Sequence, residues 1–427
     1  MDKALTEKLI FYRRDFHKYP ETAWTEFRTA SLVAERLFRL GYTKLLLGRQ
    51  IFYIPSIMGR PSKDIIDRHA KRALDQGGLR EWINKMEGYP GVVAILETGR
   101  PGPVVALRFD MDAVDVSETT NSSHIPVQEG FASVNPGAMH ACGHDGHTAM
   151  GLVLAEILKR EESTLKGTIK LIFQPAEEGV RGAKAMADRG ILDDCSYFIA
   201  LHLGMSNPTG KLTAGTHGFL CTTKFDVNFI GKASHAGAAP QDGKNALLAA
   251  CSAALNLHAI APHSRGMTRI NVGVLQAGEG RNVIPPKALM KVETREETEE
   301  IAAYVYSRAK DIIEGAAIMY GTEKTLQETG SATTTQSDGE IVDIIVDAAR
   351  SMGTFAEIER DAAPGGSDDA TWMMKRVQER GGKATYIILG STLKAGHHNE
   401  CFDFDETVLP MGVDLLYTVL RTLSKKQ

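Results

Sequence analysis

The stretch Met139-His140-Ala141-Cys142-Gly143-His144-Asp145-Gly146-His147-Thr148-Ala149 constrains this chain more than any other. Three histidines, a cysteine and an aspartate fall within eight positions, from His140 to His147. Gly143 and Gly146 let the backbone turn tightly among them. Cys142 and His144 are two residues apart, so an extended backbone sends both side chains to the same side. A thiolate and an imidazole that converge make a soft-to-borderline metal pair. A lone Cys-x-His is more often a buried cysteine beside a surface histidine. Here the cluster is dense and a clean helix from Ala149 follows it, the kind of loop on which functional groups are mounted. The stretch is read as a metal site.

At 427 residues the chain exceeds the size at which one hydrophobic core keeps growing, so two domains are expected. A net charge of -4 argues against a general nucleic-acid or membrane-surface partner. The five cysteines, Cys142, Cys195, Cys221, Cys251 and Cys401, are odd in number and scattered, as reduced thiols of a cytoplasmic protein would be. The first residues are charged and carry no apolar leader pattern, and no run is long enough to span a membrane.

Apolar residues recurring at three and four predict helices over 4–18 and 23–40. A charged helical stretch over 62–86, split by Gly77-Gly78, reads as a solvated cover. From Val92 onward, short β-rich runs alternate with helices: 91–96, 104–109, 168–173, 197–201 and 386–389 read as buried strands. That alternation predicts an α/β domain, an open mixed sheet with helices on both faces. Beyond the strands stand Asp110-Met111-Asp112, Gln174-Pro175-Ala176-Glu177-Glu178-Gly179, His202 and His397-His398-Asn399-Glu400. In open α/β sheets the site lies outside the carboxyl ends of the strands. Residues 218–330 differ in texture: half-buried strands near 224–229, 269–274, 290–294 and 324–328, with helices over 246–260 and 297–320. This β-α-β-β-α-β order predicts an inserted ferredoxin-like α+β domain. The expected division is 1–217 with 331–427 as a discontinuous metal-binding catalytic domain, and 218–330 as the insertion.

Glu177-Glu178 is the second anchor. Adjacent residues of an extended chain point to opposite sides. One carboxylate can then ligate metal while the other stays free to take a proton from water. His235, in Gly231-Lys232-Ala233-Ser234-His235-Ala236-Gly237-Ala238-Ala239-Pro240, sits in a small-residue loop. Asn282, in Gly280-Arg281-Asn282-Val283-Ile284-Pro285, and Arg295 offer donors suited to a carboxylate or oxyanion. His69, His124, His217, His258 and His263 are read as structural.

H-A-C-G-H-D-G-H-T-A, Q-P-A-E-E-G, S-H-A-G-A-x-P, R-N-V-I-P and His398-x-x-x-Phe402 together resemble the M20 metallopeptidase family, in its branch that cleaves N-acyl amino acids. The resemblance spans nearly the whole chain. It implies that Cys142, His144, Glu178, His202 and His398 ligate two divalent ions, Mn²⁺ or Zn²⁺, and that Glu177 is the general base. It implies that Asp110 orients a metal ligand, and that His235 belongs to a lid and dimerisation domain and reaches the scissile carbonyl across a dimer interface. It implies that Asn282 and Arg295 contact the substrate carboxylate. The branch usually has serine after the last ligand. Here Asn399 follows His398 and His397 precedes it, so either histidine could be that ligand. The resemblance further implies a small N-acyl-glutamate substrate, p-aminobenzoyl-glutamate in particular, and a homodimer or a heterodimer with a paralogous second chain. The competing expectations are a broader N-acyl-amino-acid or dipeptide hydrolase and a catalytically silent regulatory protein on the same fold.

Overall fold

The computed structural model describes residues 1–426. The chain runs α1 (Lys3–Lys18), α2 (Phe27–Arg39), β1 (Lys44–Leu47), α3 (Lys63–Asp75), α4 (Arg80–Met86), β2 (Val92–Glu97), β3 (Val104–Asp110), α5 (Ile125–Gln128), α6 (His144–Arg160), β4 (Thr168–Gln174), α7 (Ala183–Asp188), β5 (Tyr197–Leu203) and β6 (Lys211–Thr213). It continues through β7 (Cys221–Ile230), α8 (Ala246–His258), β8 (Thr268–Ala277), β9 (Lys287–Glu296), α9 (Glu299–Tyr320) and β10 (Glu323–Ala332). It ends with α10 (Gly339–Met352), β11 (Glu357–Glu359), α11 (Ala370–Glu379), β12 (Lys383–Leu389) and α12 (Val408–Leu423). Two compact units result. One holds Met1–Gly218, Thr335–Pro364 and the chain from Asp368; the other holds Phe219–Thr334 with Gly365–Ser367.

The first unit carries an eight-stranded mixed sheet in the order β1-β2-β4-β3-β5-β12-β6-β11. Its centre, β4-β3-β5-β12, is parallel, so these four strands end on one edge. They are apolar and buried almost throughout, as strands covered on both faces must be. The pleat shows how. Phe109 of β3 and Phe173 of β4 face α6, packed against Gly151 where a Cβ would sit. Arg108 faces the other way, toward Asp368 and Asp369 at the start of α11, and α11 lies on β5 and β12. The stretch over 62–86 is a pair of helices on α2, with Ile66, Ala73, Trp82, Ile83 and Met86 turned inward.

The sequence pattern places α6 too late. The helix begins at His144, with Gly143 ahead of it in the left-handed region (φ 91°). Cys142 and His144 therefore do not share an extended segment; a turn, not a pleat, brings them together. His202 likewise lies inside β5, not beyond it. Strands β1, β6 and β11 and helices α5, α11 and α12 had no counterpart in the expected order. The three strands are only three or four residues long, too short for a period to show.

The second unit is a four-stranded antiparallel sheet, β10-β7-β9-β8, with α8 and α9 packed against it. Its core joins Phe225, Val227 and Phe229 of β7 and Met290 and Val292 of β9 to the alanine-rich helices. The side chain of Asn245 caps α8 and that of Thr298 caps α9. At the end of β9, Glu296 is fully buried and has no salt-bridge partner among the described residues; burial pushes its carboxyl up to about 7. Raised this way, the carboxyl costs nothing while both states are protonated. Its penalty grows as pH rises from the ordinary carboxylate range through about 7. Glu296→Gln should therefore stabilise the protein by about 1–3 kcal/mol near pH 8 and by almost nothing near pH 4. Thermal unfolding of both proteins across that range checks it, and a difference independent of pH would contradict the assignment.

Candidate metal centre

The carboxyl ends of β3, β4, β5 and β12 deliver the site. Four sets of ligating atoms converge there, the atoms of each within 4.8 Å of one another: Cys142, His144 and His202; Cys142, Glu178 and His398; His144, Glu177 and Glu178; and Asp110, His144 and His147. The five expected ligands and the expected base thus share one place in the first unit, and Cys142 belongs to two of the sets. His398 reaches it from a left-handed residue (φ 63°), its Nε2 standing 3.1 Å from Glu178 Oε1.

Backbone partners decide which histidine nitrogen carries a proton, because a carbonyl can only accept and an amide N–H can only donate. His202 Nδ1 donates to the Leu203 carbonyl at 2.8 Å, leaving the Nε2 lone pair 3.4 Å from Cys142 Sγ. His147 Nε2 accepts from the Leu203 N–H at 3.0 Å while its Nδ1 faces Asp110. Both of its nitrogens are engaged, so His147 is no ligand despite its place in the motif. His144 Nδ1 stands 3.3 Å from Asp112 Oδ1, and its Nε2 is buried without a hydrogen-bond partner.

Asp110, expected to orient a ligand, is bound to Arg108 and His147 and lies 3.8 Å from His144 Nε2. The carboxylate beside His144 Nδ1 is Asp112, which also accepts the Glu177 and Glu178 N–H groups at 3.1 and 2.8 Å. Glu26 grips the same turn through the Ala176 N–H at 2.7 Å, where Ala176 is left-handed (φ 57°). A second group escaped the sequence pattern altogether: Asp368 and Asp369 lie with Glu177 in one buried cluster. The adjacent acids ahead of α11, just after Gly365-Gly366, were its only local sign. Arg108 binds Asp110, Asp368, Asp369 and Gln174, and the Tyr386 hydroxyl donates to Asp368 at 2.6 Å.

The protein atoms alone crowd negative charge. Burial, then Glu178, Glu177 and Asp110, pushes the Cys142 thiol well up. Burial, then Asp368, Glu178 and Asp369, raises Glu177 well above the carboxylate range. Burial opposes charge on His144 too, but Asp110 and Asp112 outweigh it and raise the imidazole to about 10. A soft-to-borderline donor set with an orphaned buried imidazole nitrogen, in a field that favours positive charge, fits divalent cations.

The remaining expected residues lie in the second unit. His235 Nδ1 accepts from the Gly237 and Ala238 N–H groups at 3.2 and 3.1 Å, so the neutral ring carries its proton on Nε2. Asn282 is on the adjoining loop, its carbonyl accepting from Ala236 N–H at 3.0 Å. Arg295 is paired to Glu293 at 2.7 Å and lines a cavity of about 540 Å³ with His258 and Arg269.

Comparison with known proteins agrees with this chemistry. The chain is 55% identical over 415 residues to a component chain of the p-aminobenzoyl-glutamate hydrolase of Escherichia coli, covering 97% of this chain and 95% of that protein. It is 53% identical over 416 residues to indole-3-acetyl-aspartic acid hydrolase of Enterobacter agglomerans, with the same coverage of 97% and 95%. Among solved structures, an aminobenzoyl-glutamate utilization protein from Klebsiella pneumoniae superposes with a TM-score of 0.86 at 44% identity, covering 98% of this chain and 96% of that one. The profile of peptidase family M20/M25/M40 matches residues 106–422, and the chain belongs to that family.

Proposed function

We propose that this chain hydrolyses the amide bond joining an aromatic acyl group to an acidic amino acid, with p-aminobenzoyl-glutamate, split into p-aminobenzoate and glutamate, as its foremost substrate. The observation that carries this reading is the convergence of Cys142, His144, Glu178, His202 and His398 with Glu177 held beside them. The two relatives above half identity support the substrate class. One is named for an aminobenzoyl-glutamate and the other for an indole-acetyl-aspartate. Both names join an aromatic acyl group to a dicarboxylic amino acid. A catalytically silent role is disfavoured, since every donor and the base are in place.

The five ligands would hold two divalent cations, zinc or manganese, whose chemistry is to polarise the amide carbonyl and acidify water. Glu177 takes the proton of the attacking water and returns it to the departing amine nitrogen. Burial, with Asp368 and Asp369 beside it, favours the protonated carboxyl, the form that carries the proton between water and the leaving amine. Asp112 holds His144 and the Glu177-Glu178 turn in place, and Asp110 does the same for His147. The second unit is a ferredoxin-like lid and dimerisation domain; the strand order of its sheet and the packing of α8 and α9 on it support the ferredoxin-like part of that reading. The division into 1–217 with 331–427 and 218–330 follows that reading. His235 Nε2–H serves the developing oxyanion, and Asn282 and Arg295 the substrate carboxylates. The assembly is a homodimer or a heterodimer with a paralogous second chain, for which the support is that the Escherichia coli relative is named as one component of a multi-chain enzyme. A cytoplasmic setting is supported by five cysteines that form no disulfide; among the described residues no helix is long and apolar enough to cross a membrane.

Three outcomes are expected. Glu178→Ala should lose bound metal, whereas Glu177→Gln should keep it and lose turnover by ~10²–10⁴-fold or more. Metal analysis beside kcat separates the two, and Glu177→Gln at near wild-type kcat would place the base elsewhere. Against a panel of conjugates, p-aminobenzoyl-aspartate should fall within ~10–200-fold of the glutamate substrate, and p-aminobenzoyl-leucine roughly 10⁴-fold below it in kcat/KM. Comparable turnover of neutral conjugates would favour the broader N-acyl-amino-acid hydrolase. Finally, inactive His235→Ala and Glu177→Gln proteins, mixed under conditions that let protomers exchange, should regain part of the activity, because one site then holds both residues intact. Exchange confirmed by mass without recovery would show that His235 does not act in trans.

A further inference from the structure

We infer that His397 is a positioning residue for Cys142: its Nδ1–H donates to the Cys142 sulfur and holds it as a ligating thiolate, while His398 is the histidine that binds metal. The inference rests on the metal-site reading above, and it concerns a residue to which that reading gives no task.

Hydrogen-bond partners fix where the proton sits. His397 Nε2 receives the Met205 N–H at 3.2 Å. A backbone N–H can only donate, so that ring nitrogen is the acceptor and the neutral ring carries its proton on Nδ1. Nδ1 is the nitrogen that faces Cys142 Sγ, at 3.6 Å. His202 also faces that sulfur, from 3.4 Å, but with the opposite tautomer, because its Nδ1 donates to the Leu203 carbonyl and its Nε2 keeps a lone pair. Distance does not separate the two rings, since two ligands of one ion stand about this far apart at ordinary bond lengths. The proton does: His202 offers the sulfur's neighbourhood a lone pair, and His397 offers it a hydrogen.

Several features keep His397 in that pose. Its ring packs between His202 and Phe402, with centroids 5.3 and 5.2 Å away. The Met205 N–H is aimed by a turn in which both Met205 and Ser206 take left-handed backbones (φ 45° and 71°). Such conformations are unfavourable for side-chain-bearing residues and persist only where the surroundings impose them. His397 also joins none of the converging donor sets, whereas His398 meets Cys142 and Glu178 in one of them. A thiolate beside Glu178 has a like charge for a neighbour. An N–H directed at the sulfur offsets this, as hydrogen bonds to ionised acceptors do, and groups behind metal ligands tune affinity in this way.

The test uses cobalt(II) as the probe, loaded into the full-length wild type, His397→Gln and His397→Phe. The glutamine amide can accept from Met205 and donate to sulfur; phenylalanine can do neither. His397→Leu replaces the phenylalanine variant if that one does not fold. The near-ultraviolet sulfur-to-cobalt charge-transfer band, the cobalt stoichiometry and the cobalt affinity against a competing chelator are read for each. The expected result is a band at lower energy and affinity weakened by about 10–100-fold in His397→Phe, with His397→Gln near wild type and the stoichiometry unchanged in both. An unmoved band and affinity in His397→Phe would overturn the proposal. So would the loss of a whole cobalt equivalent in either variant, which would make His397 itself a ligand. A wild type with no sulfur-to-cobalt band would remove Cys142 from the metal site, which is the failure of the underlying reading and not of the role given to His397 alone.

Discussion

Gathering carboxylates and a thiol, dry, at one edge of a sheet is the constraint under which this molecule is built. Glu26, Asp110, Asp112, Glu177, Asp368 and Asp369 are all buried, with Cys142 among them. An unpaired buried charge costs several kcal/mol even after relaxation, so each group must be neutralised or paired. Arg108, on the face of β3 turned away from α6, is a fixed cation placed for this. Its guanidinium spans Asp110, Asp368 and Asp369, which a point-charge lysine could not do with the same geometry. What Arg108 leaves unbalanced, around Cys142 and Glu178, is where divalent cations fit.

The end of β5 is the second organising element. Leu203 gives its N–H to His147 and its carbonyl to His202, and two residues on, Met205 gives its N–H to His397. One short piece of backbone thereby fixes which ring nitrogen is engaged in each of three imidazoles of the same intrinsic chemistry. Strand ends suit this work: the ladder fixes the positions of their N–H and C=O groups while leaving the last few without a partner strand. The turn that follows is strained at Met205 and Ser206, and in this way backbone strain serves the site without any side chain of the turn entering it.

Family membership and this geometry act on different questions. The family settles that amide bonds are cut; the converging donors and Glu177 are what the proposed function rests on. Under the function proposed, substrate choice falls to other residues, Arg295 of the second unit among them. Arg295 is braced by Glu293, and Arg269 is its cross-strand partner in the β8–β9 register. Like charges placed opposite one another in a sheet repel, and Glu293 offsets this at Arg295.

Much of this was readable from the residues. The ligand types were legible because they are chemically distinctive and local: Cys142 with His144, Glu177 with Glu178, and His397 with His398 are each neighbours in the chain. The parallel strands were legible because burial on both faces leaves an unbroken apolar run, as in 104–109 and 168–173. Roles that depend on a partner far away in sequence were not. Nothing near His147 says that Leu203 will occupy its Nε2, nothing near Asp112 says that it and not Asp110 will meet His144 Nδ1, and Asp368 and Asp369 read as ordinary acids until β3 brings Arg108 beside them. Residue chemistry alone determined which groups could bind metal; the fold decided which nitrogen, and which carboxylate, can do so, because the hydrogen bonds that assign a proton come from backbone the chain places there only once the sheet has formed.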